Sequence, residues 1–444
     1  LVSIHWVENL FAMMCVRQFF FVLSMTSAVL GLEEVSNYTF TNYIHDFGRT
    51  YEHGGDEYLL RAAIFKLRVA EIQAHNAAGH SWRKGVNHLT DRTAEELSQL
   101  NGYKRWMRST PQAGDAYVPA SSFLQIASES SRGCSSHQQE CTRGANTCCA
   151  GMICGAQGLC EKVEELPESF DEWSELPTAQ DILVQGECGS CWAVAATAAI
   201  QLQAVRNTDG RFQEILSPQN VLSCTPNPFE CGGKGMCDGA TAELGLQWLE
   251  STGSKGGLYP MSYQKYTAKP TPDACPFAPA KSFLQANPST SMKPGVSIRG
   301  WKKIEENSAH AMMQHLVAVG PVVASVVGDP SLQSYSSGVI SECPSPVIDH
   351  AVLMMGYGKD QSSGLKFWKI RNSWGTKWGE NGFFRLQRFY PEEEEPCEMD
   401  YDTAKGVACK DKPGPQGHYP ASMKVCGKCG ILSDSAYPIG TEVP

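Results

Sequence analysis

Gln185-Gly186-Glu187-Cys188-Gly189-Ser190-Cys191-Trp192-Ala193 is the stretch on which this sequence turns. The run Val194-Ala195-Ala196-Thr197-Ala198-Ala199-Ile200 follows it and reads as a buried helix with Cys191 in its first turn. A nucleophilic thiol needs a lowered pKa, and the unpaired N–H groups of a helix N-terminus favour the thiolate. Gly186 and Gly189 let the backbone turn tightly and a substrate come close. A C-x-x-C pair alone is equally a redox or metal motif, so the rest of the chain has to decide.

Two further strings decide it. His350 lies in Val347-Ile348-Asp349-His350-Ala351-Val352-Leu353-Met354-Met355-Gly356-Tyr357-Gly358, and Asn372 in Arg371-Asn372-Ser373-Trp374-Gly375. A thiol nucleophile needs an imidazole to manage its proton and a third group to orient that imidazole. Cys, His and Asn occur here in that order.

The bulk numbers set the compartment and exclude some partners. The chain has 444 residues, enough for two or three domains. Its net charge of −10 and the lack of a long Lys/Arg run argue against a nucleic-acid partner. Eighteen cysteines point to an oxidising compartment. Residues 1–32 read as a signal peptide with upstream residues, because Arg17 precedes a short apolar run that Glu33 and Glu34 end. Met13 or Met14 is the expected start, with Leu1 marking a fragment or translated upstream sequence. No other apolar run is long enough to cross a bilayer, so no span is expected once the signal is removed. Asn37-Tyr38-Thr39 is an N-glycosylation sequon.

Residues 36–105 are rich in helix formers, with an apolar stripe at Tyr58, Leu59, Ala62, Ile64, Phe65, Val69 and Ile72. Residues 106–133 read as a linker. Residues 134–160 hold Cys134, Cys141, Cys148, Cys149, Cys154 and Cys160, a segment too small to bury a core and therefore held by disulfides. A zinc site competes weakly, since His137 is the cluster's one nitrogen ligand. From 166 to 444 the chain reads as a larger α+β domain. Its expected elements are a helix over 241–249 and strands over 317–327, 347–357 and 367–372. The run Glu392-Glu393-Glu394-Glu395 opens a polar stretch to about residue 428, expected as an exposed loop.

The strings QGECGSCWA, DHAVLMMGYG and RNSWGTKWGENGFFRL resemble the papain and cathepsin L family. The resemblance implies a papain-like two-lobed α+β fold, with a helical left lobe and a β-barrel-like right lobe. A helical propeptide and the small disulfide-rich module precede it. It also implies a cysteine endopeptidase, made as a zymogen, acting on peptides or proteins. By resemblance Cys191 attacks as thiolate, His350 protonates the leaving amine and Asn372 holds the imidazole. Trp374 shields that bond, and Gln185 with the Cys191 N–H forms the oxyanion hole. Gly239 and Ala240 meet the substrate, and Asp434 at the base of the S2 pocket attracts Arg or Lys. The implied disulfides are Cys188–Cys237, Cys224–Cys275 and Cys343–Cys429. Cys231, Cys397, Cys409 and Cys426 are left for two more, with Cys397–Cys409 the expected one. Insertions are expected around 225–236 and 251–297.

The segment 38–91 resembles the family's inhibitory propeptide through Glu57, Arg61, Phe65, Ile72 and Asn76, with Arg68 where Asn is usual. Gly85-Val86-Asn87-His88-Leu89-Thr90-Asp91 resembles the motif after it. The chain's own propeptide is thus the expected inhibitor, and protonation of His45, His53, His75, His80 and His88 a means of its release. The cysteine cluster resembles a knottin, implying Cys134–Cys149, Cys141–Cys154 and Cys148–Cys160. A binding or toxin-like protein with this module as its active part is the reading from another class. No cofactor and no metal are expected, and the chain is expected as a monomer of the secretory pathway, in a lysosome or vacuole or outside the cell.

Overall fold

The computed structural model describes residues 38–102, 152–154, 160–162, 166–252, 257–269, 275 and 295–444. The signal peptide, Asn37, the linker 106–133, the knottin pairings and most of 251–297 lie outside the described residues. The chain falls into two compact units, one ending at Arg92 and the other spanning Thr93–Pro444.

The first unit contains α1 (Phe40–Asp46), α2 (Asp56–Ala77) and a short strand β1 (Trp82–Lys84). Thr39 caps α1 by accepting the Asn42 N–H. Asp56 and Glu57 stand in the first turn of α2, where the helix dipole favours carboxylates. Helix α2 buries Arg61, Phe65 and Ile72, whereas Leu59 stays 57% exposed, so the apolar stripe is narrower than the sequence suggests. Asp91 ties the unit together. Its carboxylate accepts from Tyr43 and Arg49, both at 2.9 Å, and from Tyr51 at 2.6 Å. Its carbonyl takes the Arg61 guanidinium at 3.2 Å. Asn76 bonds both the N–H and the carbonyl of Lys84. His75 stacks on His80 with ring centres 4.2 Å apart, and His45 pairs with Asp46.

The second unit begins with α3 (Ala94–Ser98), closed by a reciprocal capping box between Thr93 and Glu96. Strands β2 (Met152–Cys154) and β3 (Cys160–Lys162) form a small antiparallel hairpin. Helices α4 (Cys191–Asn207), α5 (Gln219–Cys224) and α6 (Ala242–Thr252) form one lobe. The other lobe starts with β4 (Gly300–Lys303), α7 (Ala309–Ala318), β5 (Val322–Val326), α8 (Pro330–Gln333) and β6 (Tyr335–Ile340). It continues with β7 (His350–Lys359), β8 (Lys366–Arg371), β9 (Phe383–Gln387), β10 (Cys397–Asp400), β11 (Met423–Cys426) and β12 (Ser435–Ile439). Its sheet runs β6-β9-β8-β7-β5-β12-β4, antiparallel except between β6 and β9.

The expected strand over 317–327 starts later than its β-branched residues suggest. Val317 and Ala318 finish α7, and Gly320-Pro321 separates that helix from β5. The core explains how the lobes hold together. Ile200 and Leu202 of α4 and Leu246 and Leu249 of α6 share one apolar cluster with Val323 of β5 and Ala351, Leu353 and Met355 of β7. Each fully buried aliphatic side chain contributes about 1.5–3 kcal/mol. The helix that carries Cys191 is thereby pressed on the strand that begins at His350.

Three bridges join Cys188 to Cys237, Cys224 to Cys275 and Cys343 to Cys429. The expected Cys397–Cys409 pair does not form. Cys397 bonds Cys426 directly across the β10–β11 ladder, and Cys409 reaches Cys231. Sequence proximity misleads here, because β-pairing puts Cys426 opposite Cys397. The 391–428 stretch is accordingly not a plain exposed loop. Glu392, Glu393 and Glu394 are exposed as expected, while Glu395 turns inward to accept the Phe389 and Tyr390 N–H groups. Among the described residues no helix is long and apolar enough to cross a membrane.

Candidate active site

Cys191 is the first residue of α4 and is fully buried. The preceding turn is fixed by the Cys188–Cys237 bridge and by the Gly189 N–H donating to the Cys237 carbonyl at 3.1 Å. Tyr266, which the sequence did not single out, buttresses that turn through Ser190 Oγ at 2.5 Å and the Gln185 carbonyl at 2.8 Å. The Ala351 N–H reaches Cys191 Sγ at 3.3 Å, so the thiol lies against the residue after His350. Among the described residues Cys191 is the cysteine left unpaired.

His350 Nε2 lies 2.8 Å from Asn372 Oδ1. The Ser373 N–H donates to that same oxygen, which fixes the amide's orientation. The Trp374 ring stacks on the imidazole with centres 4.9 Å apart and is itself buried against Trp378. Gln185 is anchored by Ser373 Oγ on its Oε1. Its Nε2 donates to the carbonyls of Cys188 at 2.9 Å and Leu100 at 2.8 Å. Thus Gln185, Cys191, His350, Asn372 and Trp374 are brought together.

The Leu100 contact belongs to a feature the motifs did not show. Beyond α3, residues 100–102 run across the thiol. A Cβ on Gly102 would come 2.4 Å from Cys191 Sγ, and one on Gly239 would come 1.5 Å from the Gly102 carbonyl oxygen. Both positions therefore require glycine. Gly239 meets a crossing chain in this way, while Ala240 is wholly buried behind it. Asn101 Nδ2 donates to the Gly328 carbonyl at 2.8 Å and to Asp349 Oδ2 at 2.9 Å, and the Gly328 N–H donates to Asp349 Oδ1 at 2.6 Å. Asn101, Gly102 and Asp349 were not predicted as site residues. Only the position of Asp349 next to His350 hinted at one of them.

Burial sets the ionisation of the covered site. It pushes the Cys191 thiol up to about 12, against the opposing N–H groups of Ala351, Gly102 and Trp192. It lowers His350 to about 4, against the Asn372 hydrogen bond. The same burial raises Asp349 to about 6. In the covered form thiol and imidazole are both neutral near pH 7.

Asp434, expected at the base of an S2 pocket, already has partners. It is buried, accepts from Ser325 Oγ at 2.7 Å, and is ion-paired with Lys303 Nζ at 3.1 Å. A sequence reading could not see that Lys303, from a distant strand, fills this position. Among the described residues no group of three or more His, Cys, Asp or Glu side chains is placed to hold a metal ion.

Residues 166–406 match the family described as papain family cysteine protease, and residues 40–97 the cathepsin propeptide inhibitor domain. Cathepsin L of Sarcophaga peregrina is 32% identical over 380 residues, covering 83% of this chain and 92% of that protein. The senescence-specific cysteine protease SAG12 of Arabidopsis thaliana is 30% identical over 341 residues, covering 76% and 80%. Among solved structures, digestive procathepsin L 3 of the Tenebrio molitor larval midgut superposes with a TM-score of 0.56 at 21% identity, covering 92% of this chain and 99% of that one. The proform of the ragweed pollen cysteine protease Amb a 11 gives 0.56 at 22%, covering 91% and 94%. At those identities the structures speak to the fold, and it is a proenzyme fold in both. Sequence match, fold and the cysteine–histidine–asparagine geometry agree: the chain belongs to the papain family of cysteine proteases and is a cysteine endopeptidase zymogen that carries its own propeptide inhibitor.

Proposed function

We propose that Cys191, His350 and Asn372 are the catalytic machinery of this endopeptidase. Once residues 100–102 leave, water reaches the site and the penalty on charge falls. Cys191 then passes its proton to His350, and the thiolate–imidazolium pair becomes the resting state. The thiolate attacks the scissile carbonyl carbon. Gln185 Nε2 and the Cys191 N–H stabilise the oxyanion. His350 returns the proton to the leaving amine, and a water molecule then hydrolyses the thioester with His350 as base. Asn372 orients the imidazole and Trp374 keeps water from their bond.

The observation that carries this reading is the 2.8 Å bond from His350 to Asn372 under Trp374, with Sγ held by the neighbouring Ala351 N–H. The proposed domains are a propeptide over 36–105, a linker over 106–133, the cysteine-rich module over 134–160 and the peptidase from 166 on. Proteins and peptides are the proposed substrates, a monomer the proposed state, and a lysosome, vacuole or the cell exterior the proposed location. The five described disulfides favour such an oxidising compartment. Acidifying the purified precursor, sequencing the new N-terminus and titrating with an epoxide inhibitor tests the reading. One reactive thiol per processed chain, absent in Cys191→Ala, is expected. Activity retained by Cys191→Ala would overturn it.

A further inference from the structure

Ser190 breaks a local rule. It is the N-cap of α4, where a serine hydroxyl ordinarily accepts an N–H of the first turn, yet its side chain makes no such bond. Its Oγ lies 2.5 Å from the Tyr266 hydroxyl instead, and the Tyr266 hydroxyl lies 2.8 Å from the Gln185 carbonyl oxygen. Proton count fixes the direction of both bonds. A carbonyl only accepts, so the single Tyr266 proton goes to Gln185 and Ser190 donates to Tyr266. The Cys188 carbonyl, at 3.4 Å, is the weaker acceptor for the Ser190 proton. Ser190 is fully buried and Tyr266 is 8% exposed, so the relay is shielded from water. Departures from local preference of this kind concentrate at functional sites.

The relay closes the segment that carries both oxyanion donors. Gln185 Nε2 stands at one end and the Cys191 N–H at the other, and residues 185–190 between them belong to no helix or strand. The Gln185 end is held from the sheet lobe, where its N–H donates to the Ser373 carbonyl at 2.9 Å and its Oε1 accepts from Ser373 Oγ. The Cys191 end is held by α4. Tyr266 ties the two ends to each other, from 81 positions after Gln185 and 76 after Ser190. Its ring belongs to the apolar cluster that includes Cys188, Cys191 and Leu258, and close packing there fixes where the hydroxyl stands.

We propose that Tyr266 is a positioning residue of the oxyanion site: its hydroxyl sets the spacing between Gln185 Nε2 and the Cys191 N–H without touching the substrate. Loss of that hydroxyl takes a donor from the buried Gln185 carbonyl and frees Ser190 Oγ to turn back as an ordinary cap. Both changes move one oxyanion donor relative to the other. Such donors act only at about 2.7–3.1 Å from the developing charge, so a small displacement weakens the transition state and leaves ground-state binding alone. The inference rests on the protease reading above.

The test uses processed enzyme, with active sites counted by epoxide titration. Tyr266→Phe keeps the ring and removes only the hydroxyl. It is expected to lower kcat by about tenfold with KM little changed. A peptide aldehyde forms a hemithioacetal with the thiol, and its oxygen takes the oxyanion position, so aldehyde affinity should also fall by about tenfold. Reaction with dipyridyl disulfide reads the thiolate without building charge on a carbonyl oxygen, and its rate should stay within about twofold. Ser190→Ala should repeat the pattern, and the double variant should lose little more than either single one. Wild-type kcat and aldehyde affinity in Tyr266→Phe overturn the inference, as does a rise in KM at constant kcat. So does an equal loss of aldehyde affinity and disulfide reactivity, since the hydroxyl would then support the thiol or the fold. If Tyr266→Phe does not fold, Ser190→Ala is read by the same outcomes. A wild type without any titratable thiol would instead sink the protease reading.

Discussion

Asn101 Nδ2 lies 2.9 Å from the carboxylate of Asp349, the residue immediately before His350. With the Asn101–Gly328 bond it clamps residues 100–102 over the thiol. Hydrogen bonds to charged groups contribute roughly 1.5–3 kcal/mol each. Asn101→Ala should therefore open the covered form about tenfold more readily. Hydrogen exchange of residues 93–102 in a Cys191→Ala background reads this directly. Equal protection with and without Asn101 would show that the clamp does not hold the segment.

Opening is linked to protons with two opposite signs. His350 is depressed to about 4 when covered, so opening takes up a proton between there and its ordinary value of 6.5. Asp349 is raised to about 6, so opening releases a proton between its ordinary 3.8 and 6. Between about pH 4 and 6 the two nearly cancel. Asp349→Asn leaves His350 alone, and opening should then grow by up to about tenfold per pH unit lost over that window. The same exchange experiment, run from pH 6 to 4, would show a steeper slope than in the parent. Matching slopes refute the linkage.

The covered thiol sits at about 12, so alkylation by iodoacetamide at pH 8 should be very slow in the precursor. Against an ordinary thiol the loss is roughly three orders of magnitude. Gly102→Ala should speed it, because the added Cβ would stand 2.4 Å from Sγ and must displace the segment. A precursor alkylated as fast as free cysteine would contradict the buried geometry.

Gln185→Ala should lower kcat by about 10²–10³-fold with little change in KM, since its donor acts on charge formed in the transition state. Active-site-titrated rates measure it. A rise in KM at constant kcat would place Gln185 in ground-state binding instead.

Cys231–Cys409 closes a sequence separation of 178 and ties the 391–428 stretch to the segment between α5 and α6. Replacing both residues by Ser should cost roughly 2–4 kcal/mol of stability. Differential calorimetry of the inhibited enzyme should show a lower Tm, and an unchanged Tm would mean that the bridge constrains little.

The residues around Cys191, His350 and Asn372 were legible from the sequence because each sits in a local string whose chemistry depends on its neighbours: a helix start, a strand start, a glycine turn. The helix over 242–252 and the strands from His350 and Lys366 were legible for the same reason, since periodicity is local. Cys397 with Cys426 and Cys231 with Cys409 were not, because pairing across a ladder or between lobes depends on strand register and chain path. The same holds for Asn101 and Gly102, more than 80 residues before the thiol they cover, and for Lys303, 131 positions from Asp434. The sequence by itself determined which side chains can do the chemistry. Only the tertiary structure decided their protonation and availability, because burial and counter-ions come from parts of the chain that meet only when it folds.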